Sequence, residues 1–262
     1  MVRKFLTKFV LTRAGSIRVL SLGLKKRLIS EFGISEIRMK LVPIFVDVSS
    51  LGFRTENLSL EMRDRLTVTT ESFRQKFEGR FNIISVNRLV PIKNIKMQID
   101  TVLVLKEKYP QILLHIVGDG PLHDELKQYI ENQNLTNWVI LHGFKSGVEL
   151  SPFFTQSDCF LLTSDFEGYG MVVIEAATAG LPIVMTDVGC AGEVILNNES
   201  GLIIPVRDTK ACSVALTQIL EDPMLRNQLA IGAQAAIAQL PTFDTVLDAY
   251  KASWQQALTN RY

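Results

Sequence analysis
The sequence predicts an α/β fold, a Rossmann-like parallel sheet with helices on both faces, and three observations carry that expectation. From residue 81 onward, apolar runs of strand length alternate with longer helix-forming stretches, the rhythm of strands joined by crossing helices. One such unit, residues 158–179, reads as strand, glycine loop and helix without a break. The chain has 262 residues, 47% of them hydrophobic, which supports a packed core in one large domain or two modest ones.

The first stretch, residues 1–11 (MVRKFLTKFVL), places Phe5, Leu6, Phe9 and Val10 on one helical face, while Lys4, Lys8 and Arg13 interrupt any continuous apolar run. It is too short and too charged to span a membrane. Two readings stand, a basic amphipathic helix on an anionic membrane surface or a packed helix with a solvated basic face. Residues 1–40 carry ten Lys or Arg against Glu31 and Glu36, so with a whole-chain net charge of +1 the remainder holds about −7. A strand is expected at 17–22, a helix at 25–32 stopped by Gly33, and a strand at 39–46. This first domain, residues 1–50, gives way to a polar linker, 51–79, whose one helical stretch is 69–77.

The main domain, residues 80–242, has expected strands at 81–86, 112–117, 139–141, 159–163, 182–185 and 202–204. Helices fall at 94–108 and 122–132, Asp222 and Pro223 break a later helical stretch into a pair, and a terminal helix occupies 243–258 of the last segment, 243–262. Cys159, Cys190 and Cys212 are odd in number and lack metal-ligand spacing. They read as reduced thiols in a cytoplasmic setting, with no zinc site.

The chemistry centres on residues 164–175, SDFEGYGMVVIE, where Glu167 and Glu175 stand eight positions apart around a glycine turn. Gly168 and Gly170 allow a sharp turn and close approach to a ligand, and the helix opening near Gly170 aims unpaired N–H groups and a positive dipole end at an anion such as phosphate. Glu175, one turn into that helix, can accept two hydrogen bonds from a vicinal diol such as a ribose. Glu167 lies nearer the reacting end; the alternative for both is an ordinary surface charge. In residues 87–94 (NRLVPIKN), Arg88 and Lys93 are five apart on a loop entering a helix, either a diphosphate clamp or two surface cations.

Residues 117–121 (VGDGP) do not have the GxGxxG spacing, which argues against a dinucleotide-dependent oxidoreductase. His115 reads as a core histidine, His123 as a first-turn surface residue, and His142 as a strand-end residue before Gly143. In residues 187–193 (DVGCAGE), Gly189 and Gly192 are turn residues, and Glu193 either closes the cleft or caps a following helix.

The string from Ser164 to Glu175, with Ala176, Ala179, Gly180, Leu181 and Pro182 behind it, closely resembles the signature of the retaining glycosyltransferases of GT-B fold usually called family 4. The resemblance spans 80–240 well and 15–50 loosely, the latter through Ser21, Leu24, Phe32, Gly33, Ile34, Val42, Pro43 and Asp47, with Phe45 where the family commonly has glycine. It implies a donor-binding half with a remnant of an N-terminal acceptor domain. It further implies that Arg88 and Lys93 hold a diphosphate, Glu175 the ribose, and Glu167 the sugar or the charge at its anomeric carbon. Gly168 and the backbone of Gly170, Met171 and Val172 would meet the phosphate, Gly118 would let the chain approach the ligand, and His142, Gly143 and Phe144 would form the base loop.

The implied reaction is hexosyl transfer, with retention, from a nucleotide-diphosphate sugar to a carbohydrate or lipid-linked acceptor in polysaccharide biosynthesis. Glu167, Arg88 and Lys93 would be its catalytic residues, without metal or cofactor. A separate acceptor-domain chain or self-association would complete it, and no nucleic-acid partner is expected. The implied location is cytoplasmic, with contact at the inner face of the membrane. The alternative is a nucleotide-sugar-binding module or truncated remnant without activity of its own.

Overall fold
In the computed structural model, which describes residues 2–47 and 60–259 apart from the side chains of 2–5, 60–65 and 148, the chain forms two units, Met1–Val46 with Gln239–Tyr262, and Asp47–Ala238. Residues 51–59 of the expected linker lie outside the described residues.

The first unit begins with α1 (Val2–Leu11), β1 (Ile17–Val19), α2 (Leu22–Phe32) and β2 (Met39–Leu41). β1 and β2 pair in parallel with Ile17 opposite Met39, over a small core of Ile17, Val19, Ile34 and Met39. Both strands are shorter than the sequence suggests. Ser21 leaves the first to become the N-cap of α2, its side chain accepting from the Leu24 N–H at 3.2 Å. Pro43, which has no N–H to give to a ladder, stands two residues past the end of the second. Gly33 ends α2 as expected, in the left-handed region at φ 66°.

The second unit runs α3 (Leu60–Lys76), β3 (Phe81–Val86), α4 (Ile95–Leu105), β4 (Ile112–Val117), α5 (His123–Asn132), β5 (Val139–Leu141), α6 (Ser151–Thr155), β6 (Cys159–Leu162), α7 (Met171–Thr178), β7 (Ile183–Thr186), β8 (Leu202–Ile204), α8 (Thr209–Glu221) and α9 (Pro223–Ala238). α10 (Phe243–Thr259) returns to the first unit, where its Phe243 meets Phe45 edge-on and Tyr250 lies under the Arg18 guanidinium.

The six strands of the second unit are all parallel, in the order β5-β4-β3-β6-β7-β8. Burial on both faces explains why the inner strands β3, β4, β6 and β7 read as apolar runs. Ile83, Leu114, Leu161 and Val184 join Ile99 of α4 and Leu216 of α8 in the main core. The opposite parity carries Ile84, His115 and Phe160, against which α3 and α6 pack through Phe73, Phe77 and Phe154. α3 is longer than the expected 69–77 because its buried stripe is narrow, only Leu66 and Phe73 among its described apolar positions with Phe77 just past its end, so polar residues conceal its period.

His115 is fully buried and its tautomer is fixed by its neighbours. Asn82 Nδ2 donates to the Arg80 carbonyl, so Asn82 Oδ1 accepts from His115 Nε2 at 3.0 Å, and His115 Nδ1 accepts from His142 Nε2 at 3.0 Å. Burial pushes the two imidazoles down, to about 3 for His115 and about 4 for His142, so both are neutral and neither is poised as a base at neutral pH. The three cysteines are buried free thiols; burial raises Cys190 to about 12 and Cys212 to about 11, and Cys159 shifts the same way.

Candidate functional site
In an open parallel sheet, ligands bind beyond the carboxyl ends of the strands where the strand order reverses. Here that point lies between β3 and β6, because β3 leads outward to β4 on one side while β6 leads to β7 on the other. The loops that leave it are 87–94 and 163–170, the two stretches that the sequence marks as chemical.

The first loop is shaped by backbone contacts. Leu89 donates to Asp119 O at 2.9 Å and Leu122 to Leu89 O at 3.1 Å, knitting it to the loop after β4. A Cβ on Gly118, at φ 136°, would stand 1.8 Å from Asn87 O. The absence of a side chain there thus serves the approach of one loop to another. Gly118→Ala is expected to destabilise the fold by about 2–4 kcal/mol, a loss readable as a lower urea midpoint, and to displace Arg88 with it. Past Pro91, Asn94 takes a left-handed conformation at φ 49° and α4 starts at Ile95.

The second loop is tied to the first at several points. Asp165 N–H donates to Ile92 O at 2.8 Å, and Thr163 Oγ1 lies 3.2 and 3.1 Å from the Lys93 and Asn94 carbonyls. Lys93 Nζ and Glu167 Oε1 form an ion pair at 2.5 Å, and Ser164 Oγ donates to the same oxygen at 2.6 Å. The pair is sheltered, with side chains 21% and 11% exposed. Gly170, at φ 91°, is the glycine of this turn that adopts the left-handed backbone; Gly168 does not. It precedes α7 without a capping side chain, and the Met171 and Val172 N–H groups make no hydrogen bond among the described residues. Unpaired N–H groups at a helix start are the kind of feature that suits an anion.

Glu175 sits on α7, half buried, with no hydrogen-bonding partner for its carboxylate among the described residues, and desolvation alone raises its pKa. The Arg88 side chain is exposed and likewise makes no hydrogen bond or ion pair among the described residues. The structure therefore brings Lys93 and Glu167 into direct contact, while the side chains of Arg88 and Glu175 have no hydrogen-bonding or ionic partner among the described residues.

On the β4–β5 side, Gly143 at φ 67° accepts through its carbonyl from Gly118 N–H at 2.8 Å, and Phe144 is 71% exposed. The His142 ring is engaged by His115, Phe77 and Phe153, and the residue's backbone N–H donates to Ile116 O, so this residue offers a ligand its carbonyl rather than its ring.

Gly189, at φ 62°, closes another side; a Cβ there would fall 2.5 Å from Tyr169 O and 2.9 Å from Glu167 Cβ. The capping role considered for Glu193 is corrected, since no helix follows it before α8. Gly192 at φ 74° and the bridge of Ala191 with Ile195 turn the chain instead. Sequence reading missed Thr163, Ser164 and Asp165 as structural partners of the site and missed Arg207, whose guanidinium reaches Asp165. The first three lie in or beside the conspicuous string. Arg207 is 42 positions from Asp165, and nothing local in its loop marks it.

Among the described residues no group of three His, Cys, Asp or Glu is placed to hold a metal ion, and no helix is long and apolar enough to cross a membrane.

Residues 68–236 match the family described as Glycosyl transferases group 1. The amylovoran biosynthesis glycosyltransferase AmsK of Erwinia amylovora is 29% identical over 180 residues, covering 66% of this chain and 42% of its own. The Campylobacter jejuni N-acetylgalactosamine-N,N'-diacetylbacillosaminyl-diphospho-undecaprenol 4-alpha-N-acetylgalactosaminyltransferase is 30% identical over 230 residues, covering 86% of this chain and 56% of its own. The crystal structure of Anabaena Alr3699/HepE in complex with UDP superposes with a TM-score of 0.78 at 21% identity, over 97% of this chain and 67% of that one. These neighbours share the α/β architecture of GT-B glycosyltransferases. The chain spans about two-fifths to a little over half the length of the two curated relatives named.

Proposed function
Because the chain belongs to the glycosyl transferases group 1 family, we propose that it supplies the donor-binding half of a transferase that moves a hexosyl group from a nucleotide-diphosphate sugar to an acceptor with retention. The observation that carries this reading is the Lys93–Glu167 contact at the strand-order reversal, which sets a cation for phosphate beside a carboxylate for sugar.

Arg88, Lys93 and the free N–H groups of Met171 and Val172 hold the diphosphate and offset the charge that grows on it as the glycosidic bond breaks. Each charge-assisted hydrogen bond contributes roughly 1.5–3 kcal/mol. Glu175 accepts from the ribose hydroxyls. Glu167 faces the sugar and stabilises positive charge at the anomeric carbon. The Leu141–Phe144 backbone with Gly118 borders the base. No metal or cofactor enters this scheme, since the cations and helix N-terminus neutralise the leaving group.

A carbohydrate or lipid-linked acceptor in polysaccharide assembly fits the relatives' names. The exposed Leu6, Phe9 and Val10 on α1, beside the cationic Lys8, support peripheral contact with an anionic membrane face. Flotation with anionic vesicles should fall when residues 1–12 are deleted, and equal flotation removes this contact.

Thermal unfolding with UDP, GDP and ADP in turn tests the donor site. One of them, at a hundredfold excess over its Kd, should stabilise the chain by about 2.7 kcal/mol. Arg88→Ala should remove most of that gain without changing the ligand-free midpoint, because its side chain is exposed and unpaired among the described residues. No shift with any nucleotide refutes donor binding by this chain.

A further inference from the structure
We propose that Asp165, braced by Arg207, is the positioning residue that sets the Lys93 loop against the Glu167 loop. The inference rests on the donor-binding reading above and adds to it a component outside the ligand contacts. Asp165 joins three loops at the carboxyl ends of β3, β6 and β8. Its N–H donates to Ile92 O at 2.8 Å, its Oδ1 accepts from Asn94 Nδ2 at 3.4 Å, and its Oδ2 accepts from Arg207 Nε and Nη2 at 3.0 and 2.6 Å. Ile92 and Asn94 flank Lys93, and Asp165 lies two residues before Glu167. The latch therefore brackets the ion pair on both strands of the cleft.

Two details separate this arrangement from an incidental surface ion pair. The Asp165 side chain is 20% exposed, so the bond is sheltered at the acceptor end even though Arg207 is 75% exposed. Arg207 also adopts φ 59°, and among the described residues it is the one left-handed residue that is neither glycine nor asparagine. Asparagine tolerates that region, whereas a long side chain is held there only when its surroundings favour the conformation. The two-pronged bond to Asp165 is the interaction that favours it.

A ligand that spans both loops, with its diphosphate at Lys93 and its sugar at Glu167, reads the distance between them. A nucleoside diphosphate alone engages the phosphate side and reads it less. Calorimetric titration of the full chain with whichever of UDP, GDP and ADP binds, and with its glucose conjugate, tests this on Asp165→Asn and Arg207→Ala. The expected result is a loss of tenfold or more for the glucose conjugate, at least threefold greater than for the diphosphate. Hydrogen exchange over residues 88–94 should quicken while the Arg207→Ala melting midpoint stays within about two degrees of wild type, as expected for an exposed side chain. Arg207→Ala keeps the test decisive if Asp165→Asn fails to fold. Unchanged affinity for both ligands, or equal losses that follow a fall in the midpoint, overturns the proposal. Wild-type chain that binds none of the three nucleotides overturns the donor reading, and this inference with it.

Discussion

Lys93→Met is expected to lower nucleoside-diphosphate affinity on the order of 10–100-fold and to destabilise the ligand-free chain by about 1–3 kcal/mol. The two losses have different origins. The first is the missing charge at the proposed phosphate site. The second arises because Glu167 Oε1 accepts from both Lys93 and Ser164, so removal of the lysine leaves a sheltered carboxylate with a single neutral donor. Adding Glu167→Gln should recover most of the stability, since an uncharged amide costs less to shelter and still accepts from Ser164, while nucleotide affinity stays low. A double-mutant cycle followed by urea unfolding isolates that coupling. Single and double variants of equal stability would show that the pair carries no structural weight.

Glu175→Gln should produce the opposite pairing of effects, a ligand-free chain more stable than wild type at neutral pH and nucleotide affinity lower by about 10–100-fold. Burial raises the Glu175 pKa above its ordinary 4.5, and no group among the described residues compensates. A carboxyl raised in the folded state costs nothing where both states are protonated, below about 4.5. As pH rises through the unfolded value the unfolded chain sheds its proton first, and folding loses stability until the folded group ionises too. The advantage of the glutamine variant should therefore be absent at about pH 3.5, grow above about pH 4.5 and level off once the folded carboxyl is ionised. Melting curves of both proteins across that range check it; a constant difference at all pH values would contradict an ionisation cause. A stability cost kept at a ligand contact is the usual mark of a site built for something other than folding.

Legibility of the fold followed burial geometry. Strands β3, β4, β5 and β8 were readable to the residue because each is an apolar run between polar breaks, the inner β3 and β4 being covered on both faces. α6 is five residues long and rich in phenylalanine, too short to display a helical period. α3 was half visible for the opposite reason, a long period carried by few apolar residues. In the site, Glu167 was conspicuous as a charge beside glycine on a loop, Arg88 and Lys93 as two cations five apart on a loop entering a helix, and Glu175 as a carboxylate one turn into the next helix. The role of Gly118 in packing against Asn87, and the reach of Arg207 across β7 to Asp165, depend on which loops the sheet order makes neighbours. Strand order is not written in local composition.

The burial of all three thiols has a practical consequence. Cys159, Cys190 and Cys212 are unionised at neutral pH and out of reach of bulky electrophiles, so alkylating reagents should find almost nothing on the native chain. A single cysteine introduced at exposed Phe144 would then take a fluorophore alone, with no need to strip the native thiols first. The molecule is already, in effect, a cysteine-less background for placing a reporter on the loop proposed to border the base.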